Sequence, residues 1–169
     1  MGESSQIEMK KFRYLFIILF LAADQITKSV VRSTFSVGES IPIIKDFFSL
    51  TYIQNTGAAF SLFTGKYTML IILPLAALVF AFWYMESHIK SHWTLTLALV
   101  LIIAGGIGNL IDRLRFEYVV DLFNFHFFPA VFNVADVFIC VGCGFLILFM
   151  FVFEDKERST EMSGENHGE

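Results

Sequence analysis

Apolar residues gather in four long runs, separated by shorter stretches of mixed character. The runs extend from about Tyr14 to Val31, from Tyr67 to Met85, from Trp93 to Ile111 and from about Ala135 to Phe153. Each approaches the roughly 20 residues that carry an α-helix across a hydrocarbon core. Backbone in lipid must satisfy its own hydrogen bonds, so the runs predict four transmembrane helices. Residues 32–66 have another texture. Ser40 to Ile44 and Phe47 to Ile53 carry β-branched and aromatic residues at strand density, and Asn55 to Gly57 reads as a turn. The pattern predicts an all-α integral membrane protein: four transmembrane helices with a small extracytoplasmic β-rich cradle between helices one and two. Lys10, Lys11 and Arg13 ahead of the first run give it the look of a cleaved signal peptide. No A-x-A site follows it, however, so a permanent helix is expected. Glu86 to His92 forms a short polar link, and residues 159–169 are expected to be a disordered tail.

Composition sharpens the membrane assignment. Of the 169 residues 56% are hydrophobic and only 17% are charged, with 21 Phe and a mean hydropathy of +0.65. Soluble domains carry roughly 25% charged residues, so this chain is too apolar to fold alone in water, and its length suits one domain. A formal net charge of −4 with no basic stripe excludes nucleic acid as a partner. An even helix count puts both termini on one side. The cations near membrane ends divide evenly: Lys10, Lys11, Arg13, Lys90, Lys156 and Arg158 against Lys28, Arg32, Lys45, Lys66, Arg113 and Arg115. Setting aside Lys28 and Arg113, which sit in motifs, the balance leans toward cytoplasmic termini. Cys140 and Cys143 lie in an apolar run without a second pair or a βαβ context, and are expected to pack inside the helices.

Polar residues inside apolar runs carry the chemistry, because an ionisable side chain in a membrane is costly unless it is paired or hydrated. Asp24 and Lys28 stand four apart on one helical face and are expected to form an ion pair, which serves a site and helix packing equally well. Asn55 and Gly57 combine a side-chain amide with a permissive backbone; an ordinary turn has the same composition. Gly105, Gly106 and Gly108 let helices approach closely. Asn109, Asp112 and Arg113 form a polar face at a helix end, with Asp112 expected to be an orienting carboxylate held by neighbouring Arg113 and by Asn109.

Asp121 and Asp136 sit among apolar neighbours without an adjacent cation, and Pro129 lets the chain fold back between them. Two carboxyls sharing a site cannot both ionise, which supplies an acid and a base at neutral pH. That combination suits attack of water on an amide. His88 and His92 are four apart, a metal spacing, but no third ligand lies near. His126, between Phe residues, is expected at the membrane surface.

Five motifs occur in order: Asp24 to Lys28, Asn55 to Ala59, Gly105 to Arg113, Val120 to Phe123, and Phe132 to Asp136. Together, from about Phe20 to Gly142, they resemble lipoprotein signal peptidase (signal peptidase II). The resemblance implies an aspartic endopeptidase of the bacterial cytoplasmic membrane, with cytoplasmic termini and an active site toward the extracytoplasmic side. Its substrates would be prolipoproteins, cut before a diacylglyceryl-modified cysteine beside membrane lipid. It implies Asp121 and Asp136 as the catalytic dyad. Asp24, Lys28, Asn55, Gly57, Gly105, Gly108, Asn109, Asp112, Arg113, Asn133 and Ala135 match motif positions that line or support the site. Residues 1–158 are then one membrane peptidase domain, with 32–66 as its β-rich insertion. No metal or organic cofactor is implied. The competing reading is a proton-coupled transporter, in which intramembrane Asp, Lys and Arg form a relay. Four helices without an internal repeat weigh against it.

Overall fold

The computed structural model describes residues 3–57, 67–88 and 92–152. Its helices are α1 (Glu3–Thr34), α2 (Tyr67–Ser87), α3 (Trp93–Phe116) and α4 (Val134–Val152). Each contains a stretch long and apolar enough to cross a membrane. α1 begins well before Tyr14, and α3 passes Ile111 by more than a turn, so Asp112 and Arg113 are helical. α3 stops where Glu117 turns left-handed (φ 66°) and its N–H bonds the Arg113 carbonyl.

α3 is the central helix. About two thirds of its span (67%) is buried, against 22% for α1, 22% for α2 and 17% for α4, whose other faces are apolar and exposed. The glycine cluster explains how three helices reach α3. A Cβ on Gly105 would strike the Ala135 carbonyl of α4, and one on Gly106 would strike Leu78 of α2. One on Gly108 would strike the Asp24 carboxylate of α1.

The sheet departs from the expected cradle in origin. Strands β1 (Ser40–Ile44) and β2 (Phe48–Asn55) come from residues 32–66. However, β3 (Val119–Phe125) and β4 (Val131–Phe132) come from the segment between α3 and α4. All pairings are antiparallel in the order β1-β2-β3-β4. Val120 and Leu122 of β3, with Tyr52 of β2, pack on Val31 at the end of α1, and this small core holds the sheet on the bundle. Ala58 to Lys66 and the tail from residue 159 lie outside the described residues.

Candidate active site

Asp121 stands in β3 opposite Ile53 of β2, and Asp136 in the first turn of α4. The start of α4 explains the placement of Asp136. Asn133 precedes the helix, and its Oδ1 accepts the Asp136 N–H at 3.0 Å. The Asp136 Oδ2 accepts the Asn133 N–H at 3.1 Å in return. This reciprocal pair is a capping box, so one local device both starts the helix and aims the carboxylate.

Three asparagines join the two aspartates. Asn133 Nδ2 donates to Asp121 Oδ1 at 2.7 Å, and Asn55 Nδ2 donates to Asp121 Oδ2 at 2.9 Å. Asn109 Nδ2 donates to Asp136 Oδ1 at 2.8 Å, while its own Oδ1 accepts from Asn133 Nδ2 at 3.2 Å. Each carboxylate oxygen thus receives an N–H. Burial pushes the Asp121 carboxyl up to about 7, and the charge of Asp136 adds to the rise. The amides of Asn55 and Asn133, and more weakly Lys28, oppose it. A carboxyl poised near neutrality beside a second carboxyl can hold or release a proton at working pH.

The two aspartates face a cavity of about 610 Å³. Its lining combines polar Gln54, Asn55, Gly57 and Arg113 with apolar Phe128, Ile139 and Cys140. Gly57 is held from two directions. Its N–H donates to Asn55 Oδ1 at 3.0 Å, and its carbonyl accepts from Arg113 Nη2 at 3.2 Å.

Behind the pair, Lys28 Nζ lies 3.0 Å from Asp24 and 3.4 Å from Asp112, and donates to Asn109 Oδ1 at 2.9 Å. The expected Asp24–Lys28 pair therefore forms, but Asp112 does not pair with Arg113. Adjacent helical residues point in different directions. Arg113 turns to the cavity and Asp112 turns to α1, where Lys28 and, at 3.9 Å, Arg32 are its cations. The cysteines also depart from expectation: Cys140 and Cys143 are both exposed on α4, and Cys140 lines the cavity. His92 caps α3 by accepting the Thr94 N–H, His88 contacts the Tyr84 carbonyl, and exposed His126 bonds Ser49.

Two residues of this site were given no role in it by the sequence. Gln25 donates to Asp24, to Asp112 and to the Gly108 carbonyl. Arg32 stacks on Phe116, 4.4 Å from the ring centroid. Both are polar residues in α1, and Arg32 is one turn beyond Lys28 on the same face; that spacing was the available signal.

Residues 16–152 match the family model described as Signal peptidase (SPase) II. A protein of Clostridioides difficile (strain 630) named lipoprotein signal peptidase is 43% identical over 85% of this chain and 97% of its own. One of the same name from Halothermothrix orenii is 42% identical over 81% of this chain and 93% of its own. A solved bacterial membrane enzyme superposes with a TM-score of 0.76 at 28% identity, covering 83% of this chain and 88% of that one.

Proposed function

The chain belongs to the signal peptidase II family, a family of membrane aspartic peptidases, and on that premise we propose that Asp121 and Asp136 are its catalytic dyad. In this reading the substrates are prolipoproteins, cut just before a diacylglyceryl-modified cysteine. The observation that carries the assignment is the pair of mostly buried carboxyls bracketed by Asn133 and open to one cavity. One member, ionised, takes a proton from water as the oxygen attacks the scissile carbonyl carbon. The other, protonated, donates a hydrogen bond to the carbonyl oxygen. Collapse of the tetrahedral intermediate breaks the C–N bond, and the proton taken from water passes to the departing nitrogen.

Asn55, Asn109 and Asn133 orient the carboxyls, and Arg113 steadies the backbone at Gly57 in the cavity lining. Gly105, Gly108 and Ala135 provide the close helix contact that lets α4 bring Asp136 forward. The apolar lining residues Phe128, Ile139 and Cys140 suit a lipid-bearing substrate. A diacylglyceryl group gains roughly 0.8 kcal/mol per buried methylene, which holds the cleavage site at the bilayer surface. The even number of spans and the cation balance support cytoplasmic termini in the bacterial cytoplasmic membrane, with the cavity on the extracytoplasmic side. Residues 1–158 form the peptidase domain in this reading.

Purified protein in detergent, given matched prolipoprotein peptides with and without the diacylglyceryl group, tests the proposal. Cleavage of the lipidated peptide at the bond before the modified cysteine is expected. Equal cleavage of both peptides would contradict lipid recognition, and no cleavage of either would contradict the peptidase assignment.

A further inference from the structure

Behind the dyad, two fully buried carboxylates do the same thing to two different strands of chain. Asp24 Oδ1 accepts the Ala135 N–H at 3.0 Å, and Ala135 immediately precedes Asp136. Asp112 Oδ2 accepts the Val120 N–H at 3.0 Å, and Val120 immediately precedes Asp121. The two carboxylates are then tied to each other twice. Lys28 Nζ reaches Asp24 at 3.0 Å and Asp112 at 3.4 Å. Gln25 Nε2 reaches Asp24 at 3.1 Å and Asp112 at 3.3 Å. Relative exposure of Asp24, Lys28 and Asp112 is 0%, 1% and 0%, so no water competes for these bonds. Gly108 provides the notch that admits the Asp24 carboxylate, since a Cβ there would collide with it.

We propose that Asp24, Gln25, Lys28 and Asp112 are positioning residues that set the separation of the two catalytic aspartates by gripping the amide just before each. This rests on the dyad assignment above. None of the four lines the cavity that Asp121 and Asp136 face. A buried ionic cluster is a poor source of net stability but a good source of a unique geometry. The geometry fixed here is the relative position of β3 and α4, which carry one aspartate each. Gln25 adds a neutral bridge beside the charged one, so the two carboxylates stay linked through a group that cannot titrate. Arg32, 3.9 Å from Asp112, supplies a second cation against the second carboxylate.

The test compares Asp112→Leu, Asp112→Asn and Gln25→Leu as purified full-length enzymes on a lipidated prolipoprotein peptide. Active molecules are counted by binding of a non-cleavable lipopeptide, so that a loss of folded protein is not read as a loss of kcat. A misplacement of about 1 Å lowers turnover about 100-fold. Asp112→Leu, which removes the acceptor for the Val120 N–H, should therefore lose kcat by about that factor with KM within about twofold. Asp112→Asn keeps an acceptor oxygen and should lose only about tenfold, and Gln25→Leu about three- to tenfold. Folded Asp112→Leu and Gln25→Leu with kcat per binding site within about twofold of the parent would overturn the proposal, as would losses confined to KM. Should Asp112→Leu fail to fold, Gln25→Leu decides, because it leaves no buried charge unpaired. Asp121→Asn runs alongside: turnover in that variant would strike the dyad assignment, whereas its inactivity with normal Gln25→Leu would strike the positioning role alone.

Discussion

α1 buries a cation toward each end of its apolar span, Lys10–Thr34, and the two are used differently. Arg13 and Lys28 are 4% and 1% exposed, and roughly 22 Å of helix separates them. Arg13 donates to the Met85 carbonyl at 3.0 Å and to the Thr96 hydroxyl at 3.1 Å. Met85 lies in the last turn of α2, where carbonyls lack helical partners, so Arg13 closes that helix end against α3. Around it Lys10 and Tyr14 engage Glu86. Lys28 instead bonds two buried carboxylates and the asparagine that holds Asp136. Burial of charge in a membrane helix therefore does not by itself mark a reactive site. The partners differ: a carbonyl and a hydroxyl near a helix end for Arg13, carboxylates tied to the backbone just before Asp121 and Asp136 for Lys28.

The comparison breaks most visibly if Lys28 is removed. Lys28→Met leaves two buried carboxylates without their shared cation and should cost about 3–5 kcal/mol together with most of the turnover. Asp24→Asn combined with Lys28→Met should fold better than Lys28→Met alone, because an orphaned buried charge is the worse state. Detergent melting curves on the two variants check the order, and a less stable double variant would contradict it. Arg13→Met should lower stability by about 1–3 kcal/mol through the unsatisfied Met85 carbonyl. Its kcat per folded molecule should stay near the parent value, and a large loss of kcat would erase the distinction between the two ends.

A subtler difference lies in pH. Asp121 is pushed up to about 7, above its ordinary 3.8, chiefly by burial. Folding thus favours its neutral form, so its contribution to stability is fully present below about 3.8 and is lost as pH rises through about 7. A dyad that needs one proton should likewise lose kcat/KM as pH rises through about 7. Asn55 favours ionised Asp121, so Asn55→Leu should move the basic limb of the kcat/KM profile to higher pH. A limb that moves to lower pH would contradict the assignment. The smallest effect is expected from Cys140→Ala with Cys143→Ala. Cys143 is not among the cavity-lining residues and Cys140 only lines the cavity, so kcat should change by no more than about threefold.

The four spans were legible in the sequence because apolar length is a local property, and their bounds erred mainly where polar caps continue a helix. The Asp24–Lys28 pair was legible for the same reason, since i and i+4 face each other. The origin of half the sheet was not. β4 has two residues, Val131 and Phe132, and exists only through pairing with β3. The partners of Asp112 were misread because Arg113 is next to it in sequence but not on its side of the helix. The cysteines were misread because an apolar run does not say which side of a helix is covered, and only 17% of the α4 span is buried. Gln25 lies in sequence between charged Asp24 and Lys28 and drew no role of its own, although a polar amide in a membrane span asks for a partner as they do.

The central claim is that Asp121 and Asp136, rather than Asp112, meet the substrate. Single-turnover cleavage of one lipidated prolipoprotein peptide by purified Asp121→Asn, Asp136→Asn and Asp112→Asn tests it most directly, with binding of a non-cleavable lipopeptide confirming each fold. Asp121→Asn and Asp136→Asn should bind normally and lose at least about 10⁴-fold in rate, while Asp112→Asn retains measurable cleavage. Cleavage at the parent rate by folded Asp121→Asn, beside a binding-competent but inactive Asp112→Asn, would instead assign the dyad to Asp112 and Asp136.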